Sequence, residues 1–338
     1  MTAAERDRTP VLCGLGSWVP PHVVTNDDLA RELDTSDEWI RRRTGIAERR
    51  VVEPGTATSD LAVEAGMRAL KSAALESVDA VIVATTTPDQ PCPATAPLVA
   101  ARLGLGPVAA FDVGAVCTGF LYGLAAAAGL ITSRTAGTVL VIGADTYSTV
   151  LDPADRTTRA IFGDGAGAVI LRTGSPDEDG AIGPTLLASD GSGSDLIRIS
   201  SGGSRDPIRA ETADQADPFF RMEGQSVFRG AMLHMAEAAR TVAEWQGWGV
   251  ADIDMLVAHQ ANVRILHAVA DRMGLDRERC HVHLDRVGNT AAASIPLALA
   301  DAVTHGGLRP GHRVVATAFG GGLTWGASAF RWPDITPS

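Results

Sequence analysis

Three side chains in this sequence have the types that acyl transfer needs: Cys117, His259 and Asn289. Cys117 lies between VAAFDVGAV and TGFLYGLAAAAGLI, where a strand-like run hands over to a helix-like one. A thiol at a helix start meets the positive end of the helix dipole and the free N–H groups of the first turn. Both favour thiolate, the form that attacks a carbonyl carbon, and so predict a lowered pKa. The competing reading is a small buried cysteine packing a tight turn, because free cysteine is among the most buried residue types. His259 follows a strand-like run, DMLVA, and Asn289 lies in a GNT turn. Thiolate attack on a thioester gives a tetrahedral oxyanion and then an acyl-enzyme. Backbone N–H groups must meet that oxyanion. Those of Cys117 and of the FGGGLTWG loop near Gly321 are suited, since glycine lets backbone approach a ligand closely.

The elements that must position these groups read as α/β. VDAVIVATT, VAAFDV, TVLVIGAD and GAGAVILR are strand-like. PATAPLVAARLG and TGFLYGLAAAAGLI, set among them, are helix-like. Such alternation argues a mostly buried sheet. The second half echoes the first: IDMLVAHQAN echoes VDAVIVATTT, VHLDRVGNTAAASIPLALA echoes AFDVGAVCTGFLYGLAAAA, and FGGGLTWGASAFR echoes FGDGAGAVILR. The offsets are 175 (254 − 79), 173 (285 − 112) and 157 (319 − 162) positions. Order is kept while loops differ, which is the signature of a duplicated unit. We therefore expect two halves, 1–175 with the nucleophile and 176–338 with the histidine and asparagine. Two such units packed face to face would point the Cys117, His259 and Asn289 turns at one pocket. The polar SDGSGSDLIRISSGGSRDPIRAETADQADP stretch between them reads as a long surface loop, a candidate lid.

Composition excludes other classes. With 338 residues, 45% hydrophobic and 20% charged, the chain has enough apolar matter for one large core or two moderate ones. A formal charge of −11 disfavours nucleic acid and anionic membranes as partners. Cys13, Cys92, Cys117 and Cys280 lie far apart, with neither disulfide nor zinc spacing. His281 and His283 fall on one strand face, but two ligands are too few for a metal. The charged N-terminus MTAAERDRTP lacks a signal-peptide core, and FLYGLAAAAGLI is too short to span a bilayer. A soluble, cytoplasmic protein without metal is expected.

The segments TSDEWIRRRTGI, GAVCTGF, IFGDGAGA, HQANVRIL, LDRVGNTAAASIP and FGGGLTWG resemble, in order and over nearly the whole chain, those of the β-ketoacyl-acyl carrier protein synthase III family, a branch of the thiolase superfamily. That resemblance implies a five-layered αβαβα fold from two duplicated halves and a homodimer. In the family's dimer a strand near GTVLVIGAD is buried and the Cys92 segment crosses over. It implies decarboxylative Claisen condensation of an acyl-CoA primer with a malonyl-acyl carrier protein, without metal or redox cofactor. Cys117 would take the acyl group, His259 and Asn289 would hold the enolate oxygen, and Cys117 and Gly321 would form the oxyanion hole. Trp39 and Arg156 would sandwich the CoA adenine, with Arg43 beside them. Gly224 and Asn262 would line the pantetheine channel. Arg229 and Arg264 would dock the acidic carrier protein, and Cys92 and Phe162 would shape the acyl pocket.

Departures from the family pattern bear on the substrate. Where the family often has a phenylalanine that reaches into the partner subunit's acyl pocket, Cys92 leaves room for a longer or branched primer unless neighbours refill the space. An enlarged polar loop before Phe219 points the same way, toward a specialised polyketide or lipid pathway. An O- or N-acyltransferase using acyl-Cys117 is the alternative activity, although simple acyl transfer needs no enolate hole. A non-catalytic partner would not need Cys117. A degradative thiolase would want a second cysteine near FGGGLTWG, which has none.

Overall fold

The computed structural model describes residues 8–338. Most of the N-terminal stretch read above for targeting signals, residues 1–7, lies outside them. In chain order the first half carries β1 (Thr9–Trp18), β2 (Val23–Thr25), α1 (Asn26–Glu32), α2 (Asp37–Thr44), β3 (Glu48–Arg50), α3 (Thr58–Ser72), β4 (Ala80–Ala84), α4 (Thr95–Arg102), β5 (Ala109–Val113), α5 (Gly119–Thr132), β6 (Thr138–Asp145), α6 (Arg156–Arg159) and β7 (Gly165–Gly174). The rest carries β8 (Leu186–Ser189), β9 (Ile197–Ile199), β10 (Phe220–Met222), α7 (Gly224–Trp245), β11 (Met255–Ala258), α8 (Val263–Met273), α9 (Leu284–Val287), α10 (Ser294–Thr304), β12 (Arg313–Gly320) and β13 (Thr324–Arg331).

The strands form two main sheets. One has the order β1-β7-β6-β4-β5 and the other β11-β12-β13-β8. Within the first, β6, β4 and β5 run parallel, while β7 is antiparallel to both its neighbours. In the second, β11 and β12 are parallel and β13 is antiparallel to β12 and β8. Three apolar clusters set the layering. Leu61, Ala65, Val99 and Ala100 of α3 and α4 cover one face of the first sheet. Residues of α5 and α10, among them Phe120, Leu124, Ile295 and Leu299, fill the space between the sheets. Residues of α7 and α8, among them Met235, Val242, Leu266 and Val269, cover the far face of the second. The result is α, β, α, β, α.

This layering explains the run that is too apolar for an ordinary surface helix. α5 packs between two sheets, so a polar stripe would be buried without partners. In α10 every residue from Ser294 to Ala302 is buried for the same reason. No described helix is long and apolar enough to cross a membrane.

Three expectations are corrected. The GTVLVIGAD strand, β6, lies inside its sheet between β4 and β7 with both edges paired, so it offers no edge to a second chain. The open edge is β5, whose residues are half-exposed or exposed. The polar stretch is not all loop: its Ile-Arg-Ile alternation pairs β9 with β10 and turns Ile197 and Ile199 toward the cluster around Cys117. The His281 segment forms no strand; it makes a single parallel bridge, Leu256 to Cys280. Its histidines turn onto Asp301, with His281 Nε2 at 2.9 Å and His283 Nδ1 at 3.2 Å from its carboxylate oxygens.

Candidate active site

Cys117 lies in one turn of 3-10 helix, Val116–Thr118, between β5 and α5. Val116 holds φ of 48°, a left-handed conformation that a β-branched residue adopts only under constraint. The constraint is close packing: a Cβ at Gly320 would stand 2.9 Å from the Cys117 nitrogen and 3.2 Å from its Cβ. Only glycine fits at the end of β12, and the following peptide carries the Gly321 N–H. The thiol is buried, at 8% exposure. Burial pushes its pKa well up, the Asp145 charge pushes it further, and a backbone hydrogen bond only partly opposes them. This overturns the expected lowering at a helix start. Desolvation outweighs the helix end, so the resting sulfur is a thiol.

His259 extends β11 by one residue, its N–H donating to Thr317 O at 2.8 Å. Burial pulls the imidazole down to about 3, so it is neutral. Its Nδ1 lies 2.7 Å from Ser294 Oγ at the start of α10, which leaves Nε2 for the cavity. Gln260 staples this turn to the next segment, donating to His281 O and accepting from His283 N–H. Asn289 is held at both backbone ends: its N–H donates to Ile161 O at 2.8 Å and its carbonyl accepts from Gly163 N–H at 3.0 Å. Its side-chain oxygen accepts from Ala291 N–H at 2.9 Å, so its NH2 group is the free end.

Cys117, His259, Asn289, Phe162 and Gly320 line one cavity of about 40 Å3. Its apolar end is closed by aromatics. The Phe162 ring stacks on Tyr147 at 4.6 Å and meets Phe220 edge-on at 5.0 Å. Cys92 is exposed and lines no part of this cavity. A neutral thiol, a neutral imidazole and a carboxamide NH2 facing one small apolar space can bind a thioester carbonyl and donate hydrogen bonds to negative oxygen.

Met222 lines this cavity and also a wider outer cleft of about 760 Å3. Trp39, Arg43, Gly224, Arg229, Asn262 and Arg264 all line that cleft. Ser36 caps α2 by accepting from Trp39 N–H, which fixes the tryptophan in the first turn. The guanidinium groups of Arg43 and Arg156 lie 4.5 and 5.2 Å from the Trp39 ring centre. Arg156 also pairs with Asp34 at 3.0 Å. Asn262 has a structural task as well: its side chain caps α8 through Arg264 N–H and donates to Arg43 O at 2.9 Å. A flat ring with guanidinium neighbours fits an aromatic base bearing phosphates.

Sequence reasoning missed Ser294, Tyr147 and Asp145. Ser294 had a signal, since it closes the same GNTAAAS run as Asn289. Asp145 ends an apolar strand, and only its partners, described below, mark it out.

The chain is similar to known proteins over nearly its whole length. Residues 111–191 match the family described as 3-oxoacyl-[acyl-carrier-protein] synthase III, and residues 243–332 match its C-terminal part. The chain is 61% identical to β-ketoacyl-[acyl-carrier-protein] synthase III 3 of Streptomyces coelicolor, over 98% of this chain and 99% of that protein. Among solved structures, the 3-oxoacyl-(acyl carrier protein) synthase III of Pseudomonas aeruginosa superposes with a TM-score of 0.92 at 50% identity, covering 98% and 100% of the two chains. The priming β-ketosynthase of the R1128 polyketide biosynthetic pathway superposes with a TM-score of 0.91 at 33% identity, covering 97% and 98%.

Proposed function

The chain belongs to the β-ketoacyl-acyl carrier protein synthase III family, is a condensing enzyme that initiates fatty acid or polyketide synthesis, and from that premise we propose the roles of its residues. Cys117 gives up its proton as it attacks the carbonyl of an acyl-CoA. Its sulfur bonds to the acyl carbon, the bond to CoA sulfur breaks, and CoA leaves as the thiol. The oxyanion of that step takes hydrogen bonds from the Cys117 and Gly321 N–H groups. Malonyl-acyl carrier protein then loses CO2. The enolate oxygen takes hydrogen bonds from His259 Nε2–H and the Asn289 NH2 group. The enolate carbon attacks the acyl-Cys117 carbonyl, and the Cys117 thiolate departs and regains a proton. Loss of CO2 supplies the carbanion, so the chemistry asks for no resident cofactor.

The observation that carries this reading is the shared cavity of Cys117, His259 and Asn289. A neutral His259 supports a donor role in place of a general base. The primer's CoA takes the outer cleft, with its adenine on Trp39 between Arg43 and Arg156 and its pantetheine arm past Gly224 and Asn262. Arg229 and Arg264 at the same cleft meet the acidic carrier. We assign a short primer, because the packed rings of Tyr147, Phe162 and Phe220 close the apolar end of the Cys117 cavity. The two halves divide at 175/176, supported by sheets drawn from residues 9–174 and 186–331. The working unit is a homodimer joined along the open β5 edge, which a second copy would cover. A free nucleophilic thiol fits a reducing cytoplasm.

The test uses a panel of labelled acyl-CoA primers, peptide mapping of the label and then malonyl-carrier protein. We expect label on Cys117, then CO2 and a β-ketoacyl product. Label that never reaches Cys117 sinks the assignment, and acylation followed by an ester or amide product without CO2 moves it to O- or N-acyltransfer.

A further inference from the structure

Asp145 ends β6 with no exposed surface. Its Oδ1 accepts from the N–H groups of Thr86 at 2.7 Å and Thr87 at 3.3 Å. The hydroxyls of Thr85 and Thr87 each donate to the same oxygen at 3.2 Å. Its Oδ2 accepts from Ala292 N–H at 3.0 Å. Every partner is a neutral donor, and among the described residues no arginine, lysine or histidine pairs with it. A carboxylate buried without a cation is costly, and it persists where several donors replace water. Burial pushes the carboxyl up to about 7, while the N–H groups of Thr86 and Ala292 and the hydroxyls of Thr85 and Thr87 pull it down.

The Ala292 N–H is no ordinary donor. Ala291 before it holds φ of 47°, matching the 48° of Val116 before Cys117. Each of these residues opens one turn of 3-10 helix that runs into a buried helix, α10 or α5. Ala292 thus stands in its turn where Cys117 stands in the other. Its N–H points at a buried carboxylate oxygen, as the Cys117 N–H would point at the oxyanion of the reaction.

We propose that Asp145 is a positioning residue for the decarboxylation step: its carboxylate fills this second anion nest, pins the Ala291–Ala292 turn, and through the Ala291 N–H fixes the Asn289 side chain with its NH2 group toward the cavity. The inference rests on the role given to Asn289 above. A merely structural carboxylate would affect both half-reactions alike. Asp145 acts on them unequally: it positions Asn289 for decarboxylation, whereas at Cys117 its charge only adds to the burial that opposes ionisation of the thiol. An amide there would set its NH2 against donors in either orientation, at the threonines or at Ala292, loosening the turn while relieving the thiol.

The experiment compares the full-length enzyme with Asp145→Asn in three measurements: acyl transfer from acetyl-CoA to Cys117, CO2 release from malonyl-carrier protein, and the pH dependence of Cys117 alkylation by iodoacetamide. We expect CO2 release to fall by about 100-fold, the loss that misplacing a group by an ångström can bring. Acylation should stay within about threefold, since the Cys117 turn is untouched. Alkylation should move to lower pH. CO2 release within threefold of wild type overturns the proposal alone. A wild type that acylates but releases no CO2 overturns the Asn289 role and this proposal with it. Should Asp145→Asn fail to fold, Thr85→Val removes one hydroxyl donor and keeps the carboxylate. It should slow CO2 release several-fold with acylation unchanged, and equal rates in both steps overturn the proposal.

Discussion

The two turns at the centre of the molecule are built alike and equipped in opposite ways. The offset of 173 read for this segment is corrected to 175 (292 − 117) by the matching left-handed residues Val116 and Ala291: Cys117 faces Ala292, Gly119 faces Ser294, Ala84 faces His259 and Asp145 faces Gly320. Around Cys117 the neighbours are bare. A Cβ at Gly119 would come 3.1 Å from the Ala84 Cβ, and Gly320 packs against the Cys117 nitrogen. Around Ala292 they are polar: His259 Nδ1 meets Ser294 Oγ at 2.7 Å, and Asp145 occupies the Ala292 N–H. One scaffold holds a nucleophile beside an N–H left free for a transient charge. The other has its N–H taken by the buried Asp145 carboxyl, supports the imidazole through Ser294 and carries the carboxamide just before it. Division of labour here comes from which side chains fill the same backbone positions.

The strongest way to break the comparison is to exchange the equipment. Cys117→Ala should abolish acyl-enzyme formation, read by intact mass after acetyl-CoA. Adding Ala292→Cys should not restore it, because the N–H of that turn is already held by Asp145. Recovered acylation at residue 292 would show the two turns to be interchangeable after all.

Asn289→Ala comes next. It removes one of two donors to the enolate, a loss on the order of 100–1000-fold in rate for such a group. CO2 release should fall by that factor while acylation from acetyl-CoA is kept. Equal loss in both steps would mean that Asn289 serves the Cys117 turn, and the division between the turns would be wrong.

A third pair separates kinetics from stability. Gly320→Ala would place a methyl 2.9 Å from the Cys117 nitrogen, in the wall of the reaction cavity. Gly143→Ala would place one 2.3 Å from Ala292 O, in the non-reacting turn. Both overpack, at about 1–3 kcal/mol of stability. Only Gly320→Ala should also slow acylation, by about 100-fold through displaced reacting groups. Thermal denaturation and single-turnover acylation measure the two effects, and similar acylation rates in the two variants would sink the distinction.

The sequence made some of this legible and hid the rest for a physical reason. Cys117 and His259 were readable because each is a reactive type at the end of an apolar run, and Asn289 because it sits in a glycine turn; turn position is a local property. The third echo drifted from 175 to 157 because β12 and β13 join directly at FGGG, whereas β6 and β7 are separated by residues 146–164, which carry Tyr147 and Phe162. The Cys117 pKa was misjudged because the helix end is local while burial depends on the packing of both halves. Asp145 was invisible for the same reason: its meaning lies in donors from residues 85–87 and 292. The second half's counterpart of β5 has shrunk to one bridge at Cys280, where the HVH pattern promised a strand and Asp301 drew the histidines instead.

The smallest predicted effect concerns His259 against its counterpart Ala84, which cannot titrate. The folded-state pKa of His259 is about 3, set by burial, and its unfolded value is 6.5. Between those values the unfolded chain binds a proton at His259 that the folded chain refuses. Stability therefore rises with pH through this window and falls as pH drops below 6.5, by at most about 1.4 kcal/mol per pH unit from this group. Carboxylates titrate toward the lower end of the same window, so the measurable quantity is a difference between variants. Urea denaturation of wild type and His259→Gln at pH 7.5, 6.5 and 5.5 should give a gap that shifts in favour of the variant by about 0.4 kcal/mol between the first two and by about 1 kcal/mol more at the third. A gap that stays constant at all three would mean that His259 takes up its proton in the folded state, and a charged imidazole would then face Cys117 instead of the neutral donor drawn here.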